Sequence, residues 1–203
     1  MSRRAVFFDR DGTLSHEVGY VNHITRFQLF AFAVDAVRAV NAAGWLAVVV
    51  TNQAGAARGY FPESLISEVN GALKSRVESS GARLDGIYVC PHHPTAGEPP
   101  LRKDCDCRKP RPGMLLQAAR ELDIDLSKSW VVGDRQGDLE LAWNAGASAC
   151  LVKTGYGAGE VEYWMSGWKR RPDRNGQESD VGEGCCPCFL WLCDVSRSLI
   201  TSV

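Results

Sequence analysis

The chain of 203 residues has a net charge of −1 and is 45% hydrophobic, which is typical of a globular protein with one domain. This charge balance disfavours a surface that binds nucleic acid, so we expect no nucleic-acid partner. No apolar run is long enough to span a membrane, and the short apolar run near the first residue lacks the length of a secretory signal. We therefore expect a cytoplasmic protein, and we expect it to be a monomer.

Short segments rich in valine, isoleucine and aromatic residues lie at 5–8, 45–50, 86–89, 130–132 and 149–152. They show no polar alternation, which is typical of strands buried on both faces of a parallel sheet. Helical patterns lie between them, at 34–42, 62–80, 114–122 and 138–144. This alternation predicts an α/β fold, with a three-layer Rossmann-like parallel sheet and helices on both faces. In such folds the functional site lies at the carboxyl ends of the strands.

The pattern changes in the last part of the chain. We predict one domain over residues 1–157 and a divergent, poorly ordered tail over residues 158–203, where no further strand or helix is apparent. The tail contains Cys185, Cys186, Cys188 and Cys193. Cys185 and Cys188 have the spacing of half a metal site, and the short apolar run beside them could lie on a membrane surface or a partner. We favour a terminus with no separate function.

Two carboxylates, Asp9 and Asp11, follow the first predicted strand and enter a glycine turn. One can attack phosphorus while it binds a metal ion, and the other can give a proton to the leaving oxygen and later accept one from water. Because like charges raise a pKa, we expect one raised pKa in the pair, which suits an acid. The alternative is an Asp-Gly turn whose carboxylates are only solvated.

The ends of later predicted strands, and one loop, carry further polar side chains. They are Thr51, Asn52, Gln53, Lys109, Asp134 and Asp138. The hydroxyl and amide groups could hold phosphate oxygens, and the lysine is a fixed positive charge. A third carboxylate beside Asp9 would complete an oxygen site for Mg²⁺. A nucleophile, charge neutralisation and positioning are what phosphoryl transfer requires.

Taken in this order, the motifs resemble those of the haloacid dehalogenase superfamily of aspartyl phosphatases. The resemblance implies that Asp9 is the nucleophile and Asp11 the general acid and base. It also implies that Thr51 and Lys109 contact the transferred phosphoryl group. The second aspartate favours phosphate transfer to water over dehalogenation. The short segment between Asp11 and Thr51 leaves no room for a large cap domain.

The same resemblance implies how Mg²⁺ is bound. The ligands would be the carboxylates of Asp9 and Asp134 and the backbone carbonyl of Asp11, with Asp138 in support.

A second candidate metal site comes from the pairs Cys90-x-His92 and Cys105-x-Cys107. Three thiolates and one imidazole form a usual structural zinc site, which leaves no open position for catalysis. We therefore predict a zinc-bound loop with these four ligands. His93 is a competing imidazole, and the alternative is a loop with buried cysteines and no metal.

The cysteine loop narrows the resemblance to the D-glycero-D-manno-heptose 1,7-bisphosphate 7-phosphatases and their relatives, the histidinol-phosphate phosphatases. It implies substrate contacts from Glu17, Val18, Gly19, Tyr20, Asn52, Gln53, Ala54, Arg108 and Arg135, the last standing where the family often has lysine. The implied reaction removes the 7-phosphate of the heptose bisphosphate, during synthesis of precursors of lipopolysaccharide.

Three alternatives to this reaction are open. They are hydrolysis of histidinol phosphate, a nucleic-acid 3′-phosphatase or zinc-dependent nucleic-acid module, and a non-catalytic interaction protein.

Overall fold

The computed structural model describes residues 2–175. Within this range the chain forms a parallel sheet in the order β3-β2-β1-β4-β5-β6. The strands are β1 (Ala5–Phe8), β2 (Leu46–Asn52), β3 (Gly86–Cys90), β4 (Trp130–Gly133), β5 (Ser148–Leu151) and β6 (Arg174–Asn175). The main helices are α1 (Ala33–Ala42), α2 (Glu63–Ser79), α3 (Gly113–Leu122) and α4 (Gln136–Ala145). The predicted α/β fold is confirmed.

Helices cover both faces of the sheet. Successive side chains of a strand point to opposite faces, so Phe8 packs with the buried residues of α1 and α2. Its neighbour Phe7 packs with those of α3 and α4. Both faces of the central strands are therefore apolar, which explains why the strand sequences lack polar alternation.

The chain order of the strands places the site. From β1 the chain moves outward to β2 and β3, and it then returns to β4 on the other side of β1. The carboxyl ends of β1 and β4 are neighbours at this reversal, where open α/β sheets form their binding crevice. Asp9 follows β1 and Asp134 follows β4. The topology thus brings two carboxylates together from distant parts of the sequence.

The chain after β5 continues the fold further than the sequence indicates. Helical turns occupy Gly157–Gly159, Glu160–Trp164 and Met165–Gly167, and β6 pairs with β5. A strand of two residues and irregular turns have no periodicity that a sequence pattern could reveal. The domain boundary after residue 157 stays a prediction, and the cysteines at 185–193 lie outside the described residues. In the described part of the chain, no helix has the length and apolar character to cross a bilayer.

Candidate active site

A cleft of about 420 Å³ opens at the carboxyl ends of β1, β2 and β4. Most residues predicted for the site line it: Asp9, Asp11, Glu17, Gly19, Tyr20, Thr51, Asn52, Gln53, Ala54, Arg108, Lys109, Arg135 and Asp138. Asp134 is fully buried next to Asp9 and Asp138. Val18 does not line the cleft, because it packs against a small apolar cluster that contains Phe61.

Lys109 lies in the cleft with its ammonium group between two carboxylates. Its Nζ donates to Asp9 Oδ1 at 2.7 Å, to Asp138 Oδ1 at 2.6 Å and to the Val50 carbonyl at 3.2 Å. Asn52 holds the Lys109 backbone, since its Oδ1 accepts from the N–H at 3.1 Å and its Nδ2 donates to the carbonyl at 3.3 Å. Burial alone would lower the pKa of Lys109, but Asp138 and Asp9 outweigh it and raise the pKa. Lys109 is therefore a fixed positive charge.

Asp134 has the properties of a metal ligand. The Tyr156 N–H donates to its Oδ2 at 2.8 Å, whereas its Oδ1 has no hydrogen-bond partner among the residues that the structure describes. One oxygen each of Asp9, Asp134 and Asp138 lie within 4.8 Å of one another. A buried oxygen without a partner is costly, and carboxylate oxygens are the ligands that Mg²⁺ prefers. The cluster therefore fits a divalent cation.

Close backbone packing holds Asp134 in place. Gly12 has a φ of +87°, and a Cβ at this position would lie 2.1 Å from Asp134 Oδ2, so only glycine fits. Thr154 Oγ1 donates to the Gly12 carbonyl at 2.6 Å, which ties the loop after β5 to the turn after β1. Asp138 Oδ2 accepts from the Arg135 N–H at 3.1 Å. Both oxygens of Asp138 are thus engaged, which suits a supporting position.

The clustered carboxylates are poised to receive positive charge. Burial raises the pKa of Asp134 to about 7, and the negative charge of Asp138 adds to this shift. Burial is also the largest cause of the raised pKa of Asp9. Lys109 opposes this rise, whereas the negative charges of Asp138 and Asp134 add to it. A divalent cation would stabilise the ionised forms and reverse these shifts.

Asp11 is in a different electrostatic environment. The almost completely buried Arg10 donates through Nε to Asp11 Oδ1 at 3.1 Å and through Nη2 to Oδ2 at 2.8 Å. Gln53 Nε2 donates to Oδ2 at 2.8 Å and Ser15 Oγ donates to Oδ1 at 3.1 Å. Burial would raise the pKa of Asp11, but Arg10 and these hydrogen bonds outweigh it and lower the pKa. The raised pKa expected in the pair is therefore that of Asp9, and Asp11 is held as a carboxylate.

The polar side chains at the end of β2 and directly after it make different contacts. Gln53 Nε2 donates to Thr51 Oγ1 at 2.9 Å as well as to Asp11, so it links the two residues. Asn52 is engaged with Lys109. Thr51 is almost fully buried and retains its hydroxyl proton as a donor. We infer that Asn52 and Gln53 position neighbouring groups.

The end of β3 and the loop after it bring three cysteines and one histidine to a common centre. Cys107 Sγ lies 3.3 Å from Cys90 Sγ, 3.2 Å from Cys105 Sγ and 3.2 Å from His92 Nδ1. Burial raises the pKa of Cys90, so without a cation its thiol is protonated. Four such atoms could hold one tetrahedral metal ion. His93 is not a member of this group.

Several residues of the site were not predicted. Val21, Gly55, Arg58, Gly137 and Glu160 also line the cleft. Glu160 lies in the segment that the sequence assigns to the tail, and no motif marks it. Arg10 stands between the two predicted aspartates, but the direction of its side chain is set by tertiary contacts, such as the bond from Nη1 to Asn70 Oδ1 at 3.0 Å. Only the position of Arg10 within the Asp-x-Asp motif could have drawn attention to it.

Comparison with known proteins identifies the family. The family model described as HAD-hydrolase-like matches residues 106–174. The D-glycero-beta-D-manno-heptose-1,7-bisphosphate 7-phosphatase of Pasteurella multocida is 46% identical over 154 residues, which span 75% of this chain and 83% of that protein. The enzyme of the same name from Escherichia coli K12 is 43% identical over 153 residues, 74% of this chain and 80% of that protein.

A solved structure of similar fold has the same kind of enzyme name as these relatives. The D,D-heptose 1,7-bisphosphate phosphatase of B. bronchiseptica, complexed with magnesium and phosphate, superposes with a TM-score of 0.76 at 27% identity and covers 96% of this chain and 99% of that one. The chain therefore belongs to the haloacid dehalogenase-like hydrolases, in the family of the heptose-1,7-bisphosphate 7-phosphatases.

Proposed function

We propose that this protein removes the 7-phosphate of D-glycero-D-manno-heptose 1,7-bisphosphate by Mg²⁺-dependent hydrolysis through an aspartyl phosphate. The observation that carries the chemistry is the contact of Lys109 with Asp9 and Asp138, beside the Asp134 oxygen that has no partner within residues 2–175. The substrate is taken from the names of the relatives, which span most of this chain. A role in making nucleotide-sugar precursors would place the protein in the cytoplasm.

The first half of the reaction transfers the phosphoryl group to the protein. A carboxylate oxygen of Asp9 attacks phosphorus, the bond from phosphorus to the C7 oxygen breaks, and that oxygen takes a proton from Asp11. Lys109 lies 2.7 Å from Asp9 and offsets the negative charge that the phosphate brings. The Thr51 hydroxyl can donate to a phosphoryl oxygen. A Mg²⁺ ion held by Asp9 and Asp134 would neutralise further charge on the phosphoryl oxygens.

The second half returns the protein to its starting state. Asp11 accepts a proton from water as the water oxygen bonds to phosphorus, and the bond between phosphorus and Asp9 breaks. The contacts of Asp11 with Arg10 and Gln53 favour the carboxylate that this step needs. To act as the acid of the first half, Asp11 must exchange these contacts for the leaving oxygen and take up a proton.

The loop after β3 has a structural role in this proposal. Zn²⁺ bound by Cys90, His92, Cys105 and Cys107 would fix the segment that leads to Arg108 and Lys109. Four protein ligands leave no position for water, so the zinc takes no part in the chemistry.

The test is turnover by the purified protein with Mg²⁺, followed as phosphate release. We expect a higher kcat/KM for the heptose bisphosphate than for histidinol phosphate. Asp9→Asn should abolish turnover of both. Asp11→Asn should lower kcat by about 10²- to 10⁴-fold and allow a phosphorylated protein to accumulate when the leaving group needs no proton, as with p-nitrophenyl phosphate.

Asp35→Asn is the matched control, because the Asp35 side chain on α1 is 43% exposed and does not line the cleft. Turnover that survives in Asp9→Asn contradicts the aspartyl-phosphate mechanism. A preference for histidinol phosphate keeps the mechanism and replaces the substrate.

A further inference from the structure

Arg58 and His93 meet at the rim of the cleft, on loops that follow neighbouring strands. Arg58 lies in the turn after β2 and lines the cleft. His93 lies in the loop after β3, next to the candidate zinc ligand His92. Because β2 and β3 are paired, their following loops come together, and Arg58 Nη2 lies 2.7 Å from His93 Nε2.

The hydrogen bonds of His93 decide what this contact is. Its Nδ1 accepts from the Ala96 N–H at 2.9 Å and from the Thr95 N–H at 3.2 Å. An imidazole whose Nδ1 is an acceptor carries its proton on Nε2. The Nε2–H of His93 therefore faces the Arg58 guanidinium, which is also a donor. Two donors at this distance need an acceptor that both can share.

The bonds to Nδ1 hold the His93 ring, and further hydrogen bonds fix the His93 backbone. The His93 N–H donates to the Leu101 carbonyl at 3.0 Å, and the His93 carbonyl accepts from the Lys103 N–H at 3.0 Å. These bonds hold both sides of the loop at His93. The Nε2–H of His93 is thus a preformed donor that faces Arg58.

Arg108 adds a second guanidinium to the same wall. It lines the cleft together with Arg58, and its Nη1 donates to the His92 carbonyl at 3.2 Å. Within residues 2–175, neither arginine forms an ion pair with a carboxylate. Unpaired guanidinium groups beside an N–H donor are the chemistry that recognises a phosphate dianion.

We propose that Arg58 and His93, together with Arg108, bind the second phosphate of the substrate, which hydrolysis leaves in place. This inference rests on the proposed function, in which the substrate is a bisphosphate. Oxygens of that phosphate accept from both Arg58 and His93 and so replace the contact between two donors. Arg58 is in this view a residue that selects bisphosphates over monophosphates.

The experiment compares two substrates with the same scissile phosphate, heptose 1,7-bisphosphate and heptose 7-phosphate. Arg58→Gln should lower kcat/KM for the bisphosphate by about 10- to 100-fold, mainly through KM, and change that for the monophosphate by less than about threefold. His93→Ala should give a smaller loss in the same direction. Arg102→Gln is the matched control, because Arg102 lies in the same loop, pairs with Glu98 and does not line the cleft.

The two proposals fail in different ways. A wild-type protein that shows no preference for the bisphosphate overturns the proposed substrate and this inference with it. A clear wild-type preference that is unchanged in Arg58→Gln, or a loss that is equal for both substrates, overturns the inference alone. Binding can also be measured without turnover. The affinity of the Mg²⁺-loaded protein for heptose 1-phosphate should fall about tenfold after Arg58→Gln, and an unchanged affinity contradicts the proposal.

Discussion

Replacement of Lys109 by methionine should destabilise the protein strongly. The change removes the ammonium group while it keeps an apolar side chain of similar length. The carboxylates of Asp9 and Asp138 lose a cation at 2.7 and 2.6 Å, at positions where their side chains are 11% and 3% exposed. Removal of one partner from a buried ion pair costs about 3–5 kcal/mol, because the remaining charge is uncompensated. For a domain of this size, the loss corresponds to a fall in Tm of about 6–20 °C.

The pH dependence distinguishes this cause from a packing defect. The raised pKa of Lys109 means that its stabilising charge is fully present at every pH below the ordinary lysine pKa. Burial raises the pKa of Asp9, and in the variant Lys109 no longer opposes this rise, so Asp9 takes up a proton more readily as the pH falls. The protonated form needs no cationic partner. The destabilisation should therefore be smaller at pH 5.5 than at pH 8.

The assay is urea unfolding followed by tryptophan fluorescence, with EDTA present so that no cation replaces the lysine charge. Lys128→Met is the control for the substitution itself, because Lys128 is 66% exposed and pairs with Asp125 at 2.9 Å on the surface. That change should cost no more than about 1 kcal/mol. The reasoning is refuted if Lys109→Met is within 1 kcal/mol of the wild type at pH 8, or if its cost is the same at both pH values.

Other predictions concern the metal sites. Gly12→Ala should abolish Mg²⁺-dependent turnover, because the new Cβ would lie 2.1 Å from Asp134 Oδ2. Gly44→Ala is the control: Gly44 has a φ of +74° and open space around its Cβ, so this change tests backbone strain alone and should leave the protein active. Mg²⁺ should bind more tightly at pH 8 than at pH 6, because burial raises the pKa of Asp134 to about 7 and protons compete for it; calorimetry in buffers of different ionisation enthalpy should detect proton release, and a constant affinity would contradict this. Cys105→Ser should reduce zinc content, measured by mass spectrometry, and lower Tm; normal Tm in a zinc-free variant would exclude a stabilising role.

Local sequence patterns predicted the sheet and the position of two carboxylates at the ends of its strands. The strand that ends at Phe8 is apolar on both faces, and this pattern places Asp9 at a carboxyl end without knowledge of the topology. The carboxylate of Asp134 follows its strand in the same way. Buried strands can be recognised in a sequence because burial on two faces requires continuous apolar residues. The residues that follow such strands could therefore be assigned to one edge of the sheet.

Side-chain direction and short elements could not be predicted from the same patterns. Nothing local shows that Arg10 turns back onto Asp11, which reverses the shift in pKa expected for the acid. Arg58 and Glu160 reach the cleft only because the loops that carry them follow particular neighbours in the sheet. The strand β6 has two residues, too few for any periodicity. These features depend on tertiary contacts.

The charges of the site are arranged in two zones, and the arrangement favours one order of events. Asp9, Asp134 and Asp138 share a single buried lysine, so the floor of the cleft repels a phosphate until further positive charge is present. Arg58 and Arg108 on the wall are free of carboxylate partners among the described residues and attract a phosphate at once. A substrate with two phosphates can therefore be held by the wall through the group that stays. The group to be cleaved then enters the floor only when a divalent cation has balanced the carboxylates. Selection for bisphosphates and dependence on a metal ion would thus arise from the same separation of charge.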